Sequence, residues 1–247
     1  MVVRSRAWVN YLATRREVAD LLAAATVAGE SVLPGQRMAL REVFLRAAMV
    51  ILVGNLHAYL EDLVEEWGDL LGEDFSKLSP VGQKYVLLHV RRHLSETLAQ
   101  YPKERLSDAA VQAKFLSALE ECHGWLDNPR SLAASPYRSR LEGFFRQRGA
   151  KAIDRALAQF REDGAGFFSW LSPQHPSYSD YFVRVNSAID IRNEVAHGSF
   201  QTRLTIEDVR RHRATLNLVV RKAESFVGGA LEEAHNAASE AGTLAPQ

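Results

Sequence analysis

Apolar residues recur at three- and four-residue spacing along almost the whole chain, and sustained two-residue alternation is absent. The pattern predicts an all-α fold. A first helix is expected over Ala7 to Ala28, with Val9, Leu12, Val18, Leu21 and Leu22 facing inward and Gly29 closing it. A second, longer helix is expected from Gln36 to Leu71. Its stripe of Leu40, Phe44, Ala47, Ile51, Leu52, Leu56, Tyr59, Leu60, Leu63, Val64 and Trp67 is broad enough for a central core helix.

Local start and stop signals divide the rest. Ser79-Pro80 opens a helix running to about Gln100, because Ser caps exposed amides and Pro at the first position loses no hydrogen bond. Ser107 caps a shorter helix to about Cys122, and His123 to Pro136, with Gly124, Asn128-Pro129 and Ser135-Pro136, is expected to connect. Short helices follow over Tyr137 to Gln147 and Lys151 to Phe160. The stretch Asp163 to Pro176 is expected to be a loop pinned by Phe167, Phe168 and Trp170. Ser179 caps a helix to about His197, stopped by Gly198, and Thr205 to Asp208 is a capping-box start for a last helix to about Ala234. The tail 237–247 is small and polar and is expected to fray.

Composition narrows the class. With 247 residues and 47% hydrophobic residues the chain can bury a sizeable core. The 30 basic and 30 acidic residues cancel, which argues against a general coat for duplex nucleic acid but leaves room for a local phosphate-binding cleft. The longest apolar run, Ala47 to Leu60, is broken by Gly54, Asn55 and His57 and reads as a core helix, so no membrane association is expected. The N-terminus has no secretory h-region and Cys122 has no intrachain partner, which together point to a cytoplasmic protein.

Chemistry concentrates at the end of the helix closing on Gly198. There Ala188, Ile191 and Val195 are expected to form an inward line, while Asp190, Asn193 and His197 share a polar stripe with Arg192 on its flank. Free carbonyls at a helix C-terminus favour a charged imidazole, and a histidine beside an arginine suits proton movement next to a phosphate. With 8 histidines in the chain the Arg-x4-His spacing alone is close to chance, and Asn193 directly after Arg192 makes it less so. A surface helix end with a capping histidine remains open. Arg146 and Arg148, in a basic stretch with Phe144 and Phe145, and Arg210 and Arg211 on the last helix are candidates for RNA contact, with a solvated helical face as the alternative. No metal is expected: Cys122-His123 lacks partners at ligand spacing, and His89 and His93 lack a third ligand. Neither a phosphate-binding Gly loop nor a Ser or Cys nucleophile motif is present, so no cofactor is expected.

The set Arg192-Asn193-x-x-x-His197 followed by Gly198 resembles the signature of the HEPN superfamily. Leu45 to Leu52 and Tyr59 to Leu63 are similar to the first core helix of its RiboL-PSP-HEPN group or a related stand-alone family. The resemblance covers helices one and two plus 178–235, and 73–176 has no counterpart. It implies one HEPN-like domain over 1–240. An antiparallel helical-bundle core (about 7–71 and 178–235) would carry a helical insertion (about 73–176). It also implies a metal-independent endoribonuclease, a toxin or antiviral defence effector acting on RNA as a homodimer, with an antitoxin protein as a possible partner. His197 would act on the proton of a ribose 2′-hydroxyl or of the leaving oxygen, Arg192 would hold the scissile phosphate, and Asn193 would orient either group. Where related families carry an acidic residue in helix two, this chain has His57. Glu61, His57 or Asp190 would supply the support. The alternative is a non-catalytic HEPN module that binds RNA, a nucleotide or a partner protein.

Overall fold

In a computed structural model the described residues are 5–31, 34–101, 105, 107–134, 149–161, 163–198 and 203–240. They form eight α-helices and no strand: α1 (Arg6–Ser31), α2 (Pro34–Asp69), α3 (Pro80–Ala99), α4 (Ala109–Asp127), α5 (Gly149–Leu157), α6 (Phe167–Leu171), α7 (Tyr181–Ala196) and α8 (Ile206–Glu240). The all-α expectation holds. The helix expected over Tyr137 to Gln147 lies outside the described residues, as does the tail from 241.

Helices α1 and α2 form an antiparallel pair, since Arg6 reaches Asp69 at 3.1 Å, Ala7 N–H reaches Glu66 at 3.2 Å and Asn10 reaches Asp62 at 2.9 Å. Helix α8 packs on both, and α7 packs on α2 and α8. Helices α3 and α4 pair with each other, and α5 leans on α7. One continuous apolar cluster takes residues from all eight helices.

The phase of α1 differs from the expected one. Ala7, Trp8, Tyr11, Val18, Leu22 and Ala25 are buried, whereas Val9 is 60% and Leu12 38% exposed. Trp8 and Tyr11 carry the largest apolar areas in the helix, so their face turns inward. Val9 and Leu12, one residue or about 100° further round, turn out. In α2 the seam Leu45, Met49, Leu52, Leu56, Tyr59, Leu63, Trp67 is buried at steps of three and four residues. Leu40, five residues before Leu45, falls off that seam and is exposed. The segment Met38–Asp69 is the one described helix long and apolar enough to cross a membrane, and half of its most apolar window is buried in the bundle.

Local caps decide several boundaries. Ser79 Oγ accepts from Gly82 N–H at 3.2 Å and opens α3 with Pro80, as its sequence implies. Thr205 and Asp208 form the reciprocal capping box: Asp208 N–H donates to Thr205 Oγ1 (3.1 Å) and Thr205 N–H donates to Asp208 Oδ2 (3.0 Å). Ser107 does not cap α4. The cap position is Asp108, which instead takes Arg105 Nε at 3.2 Å. That helix continues past Cys122 to Asp127, and a 3-10 turn covers Pro129–Ala134, so the connection expected from His123 is largely helical. Ser179 likewise does not cap α7, because its hydroxyl donates to Pro176 O at 3.0 Å and Asp180 occupies the cap position. Within the segment expected to be a loop, Phe167 and Phe168 are buried on the five-residue helix α6, and Trp170 stacks edge-on against Phe226 at 5.1 Å. Helix α8 runs beyond Ala234 to Glu240.

Polar contacts fasten the two ends of this arrangement. Ser5 N–H and Ser5 Oγ donate to the carboxylate of Glu224, and Tyr59 Oη donates to the same group at 2.8 Å. Ser5 Oγ in turn accepts from Trp8 N–H at 3.0 Å and so caps α1. Burial first, and Glu224 second, push the Tyr59 hydroxyl well above its ordinary pKa.

Candidate active site

Helix α7 buries Val185, Ala188 and Ile189. These positions, at steps of three and one, lead on at a further step of three to Arg192, which therefore lies on the inward face. Arg192 is half-buried, with its Nε out of contact with solvent and without a hydrogen-bond partner. The guanidinium turns back along the helix, and Nη1 donates to Asn193 Oδ1 at 3.0 Å. Ile191 and Val195, expected to share the inward line with Ala188, are only half-buried.

Asp190 and His197 are exposed, and Asn193 is half-buried between the two faces. On an ideal helix the five residues from Arg192 to His197 turn about 140° beyond one full circle. The structure thus brings Arg192 and Asn193 together and holds His197 around the helix from the arginine. No hydrogen bond joins Arg192 to His197. His197 is the last residue of the helix turn, its N–H donating to Asn193 O at 2.9 Å. Gly198 N–H then donates to Val195 O at 3.2 Å with φ of +70°. A Cβ there would meet no atom within 4 Å, so the backbone angle, not space, requires glycine at this stop.

Of the helix-two candidates, His57 is buried (5% exposed) and Glu61 is half-buried. Both sit on α2, the helix that α7 packs against. Among the arginines proposed for RNA contact, Arg210 and Arg211 are exposed on α8, while Arg146 and Arg148 lie outside the described residues.

Arg211 lines a groove of about 1150 Å³ between α7 and α8. Asp190 and Glu194 contribute from α7, and Arg203 and His212 from the facing segment. Burial pushes the His212 imidazole below its ordinary pKa, Asp208 opposes that, and Arg211 adds to it. The Thr205 hydroxyl, followed by the Thr205 amide, holds Asp208 below the usual carboxylate range, so its charge is committed to the cap. Arg184, whose guanidinium lies 5.4 Å from the Tyr181 ring centroid, completes the groove. Neither Arg184 nor Arg203 stood out in the sequence, since each joins the groove through tertiary packing.

Elsewhere, His89 and His93 are buried on α3. His89 Nδ1 bonds Tyr85 O at 3.1 Å, and His93 Nε2 lies 3.3 Å from Glu121. The Cys122 thiol is buried next to Val90 O, and burial followed by Glu121 pushes its pKa up. No group of three or more His, Cys, Asp or Glu among the described residues is placed to hold a metal ion.

No family model, curated protein or solved structure matches the chain. Fold and site together define an all-helical bundle bearing a guanidinium–amide pair and an exposed histidine at one helix end.

Proposed function

We propose that the protein is a metal-independent endoribonuclease of the HEPN type, working as a homodimer in toxin or antiviral defence. The observation that carries the reading is the α7 end, where Arg192 is held by Asn193 at 3.0 Å and His197 stands exposed one residue before the Gly198 stop. The ribose 2′-oxygen attacks the adjacent phosphorus and the 5′-oxygen leaves, giving a 2′,3′-cyclic phosphate. Arg192 stabilises the charge developing on the phosphate. Asn193 fixes that guanidinium, and His197 moves the proton of the attacking or leaving oxygen. One imidazole does not serve as base and acid in a single step, and its outward placement suits a composite site with a second copy. Asp190, on the same exposed side as His197, Glu61 and His57 are the supporting candidates.

The half-buried position of Arg192 favours a second reading, a non-catalytic module that binds RNA, a nucleotide or a partner such as an antitoxin. Purified protein with excess EDTA is expected to cleave RNA and leave 2′,3′-cyclic phosphate ends, and His197→Ala to stop it. Cleavage that survives His197→Ala overturns the proposal. RNA binding by both forms, with cleavage by neither, establishes the second reading.

A further inference from the structure

Helices α1 and α8 run antiparallel. Ser5, just ahead of α1, meets Glu224, and Tyr11 Oη donates to Asn217 Oδ1 at 2.7 Å. Four residues on in α1 and four back in α8, Arg15 and Arg213 stand at one level across this seam, both half-buried. Burial pushes the Tyr11 hydroxyl up to about 12, and the charges of Arg15 and then Arg213 oppose that rise, so both guanidiniums lie near it. Arg213 is about 200° round α8 from Arg211, on the side away from the groove with α7.

The seam supplies no counter-charge. At three and four residues to either side, where an acid on the same helical face would sit, Arg15 has none and Arg213 has a further cation, Arg210. Among the described residues no carboxylate pairs with either arginine. Arg15 Nε is out of contact with solvent and has no hydrogen-bond partner. Two like charges at one level repel, and a half-buried seam screens that repulsion less than water does. With Oδ1 taken by the Tyr11 hydroxyl, the Asn217 amide nitrogen remains to donate. Two guanidiniums and one neutral donor thus converge from two helices.

We propose that the α1–α8 seam binds a small tetrahedral oxyanion, phosphate or sulfate, between Arg15 and Arg213, with the Asn217 amide as third donor. A dianion with four oxygens matches two cations approaching from opposite sides, and charge-assisted bonds from guanidinium are the strong ones. A carboxylate brings half the charge and two oxygens. The bound ion ties α8 to α1, and its binding does not depend on RNA cleavage at the α7 end.

Isothermal titration calorimetry with inorganic phosphate, sulfate and acetate, at constant ionic strength in chloride, tests the site. Phosphate and sulfate are expected to bind one to one, and acetate about tenfold or more weakly. Arg15→Met and Arg213→Met keep the apolar stem and remove the charge, and each is expected to weaken phosphate binding about tenfold or more. Urea unfolding gives an independent readout. Without phosphate each variant is expected to be at least as stable as the parent, because one of two opposed charges is gone. With saturating phosphate the parent is expected to gain stability that neither variant gains. Absence of phosphate binding by the parent at millimolar concentration overturns the proposal, as does acetate binding as tightly as phosphate. Equal phosphate affinity in parent and variants marks an adventitious ion only and overturns it too. Variants less stable than the parent without phosphate would show that the two charges stabilise the seam unaided, which also overturns it.

Discussion

Acidification should destabilise the bundle through His89. Its imidazole is 5% exposed, lies 4.4 Å from the Tyr85 ring and bonds Tyr85 O through Nδ1. Its Nε2 is buried without a hydrogen-bond partner. Burial, reinforced by Arg92 and opposed by the bond to Tyr85 O, pushes its pKa down from 6.5 to about 4. The unfolded chain takes up this proton near pH 6.5 and the folded chain only near pH 4. Between those values the unfolded state binds more protons, and stability falls as pH falls. The stabilisation is fully present above pH 6.5 and is lost towards pH 4. Each pH unit of that interval is worth about 1.4 kcal/mol, so the whole is roughly 3 kcal/mol. Urea unfolding of the parent and of His89→Leu, followed by far-ultraviolet circular dichroism between pH 7 and pH 4, isolates it. Titrations shared by both proteins cancel in the difference. The parent is expected to lose about 3 kcal/mol more than the variant. Parallel pH profiles would refute the assignment of this loss to His89.

Three further outcomes follow from the contacts described. Tyr59→Phe removes a hydrogen bond to a carboxylate and should cost about 2 kcal/mol by urea unfolding; a cost below about 0.5 kcal/mol would show that Glu224 is held by Ser5 alone. Thr205→Ala should cost about 1 kcal/mol because it removes the reciprocal cap of α8, while Ser179→Ala, whose hydroxyl caps no helix, should cost clearly less. On the ribonuclease reading, Asn193→Ala releases the Arg192 guanidinium and should lower single-turnover cleavage about a hundredfold, as misplacement of a catalytic group does. Its pH profile should stay unchanged, and an unaltered rate would remove Asn193 from the mechanism.

The features legible in the sequence are those fixed by neighbours in the chain. Ser79-Pro80 and Thr205 to Asp208 act within one helical turn, and both stand where their residues imply. Ser107 and Ser179 misled because each is followed by an aspartate that takes the cap position. In α1 several apolar phases satisfy helical periodicity, and only contact with α2 and α8 selects the one that buries Trp8 and Tyr11. The same ambiguity affects α7. Both the Ala188–Ile191–Val195 line and the Val185–Ala188–Ile189–Arg192 line fit a helix, and the second ends on a charged residue. An arginine stem buries readily while its head finds a polar partner, here Asn193. The groove between α7 and α8 was illegible because Arg184, on α7, and Arg203, ahead of α8, come to line it only through tertiary packing.

The clasp of Ser5 and Tyr59 on Glu224 also sets an order of events during synthesis. Ser5 and its acceptor are 219 residues apart. At ordinary translation rates the acceptor emerges roughly ten to forty seconds after the serine. Throughout that interval α1 and α2 can pair with each other, but the surface of Trp8, Tyr11 and Tyr59 that α8 will cover stays bare. A nascent chain thus carries an uncovered aromatic face until α8 emerges, which is the kind of surface that chaperones hold and that aggregation exploits. Completion of the bundle, and with it the groove between α7 and α8, waits for α8.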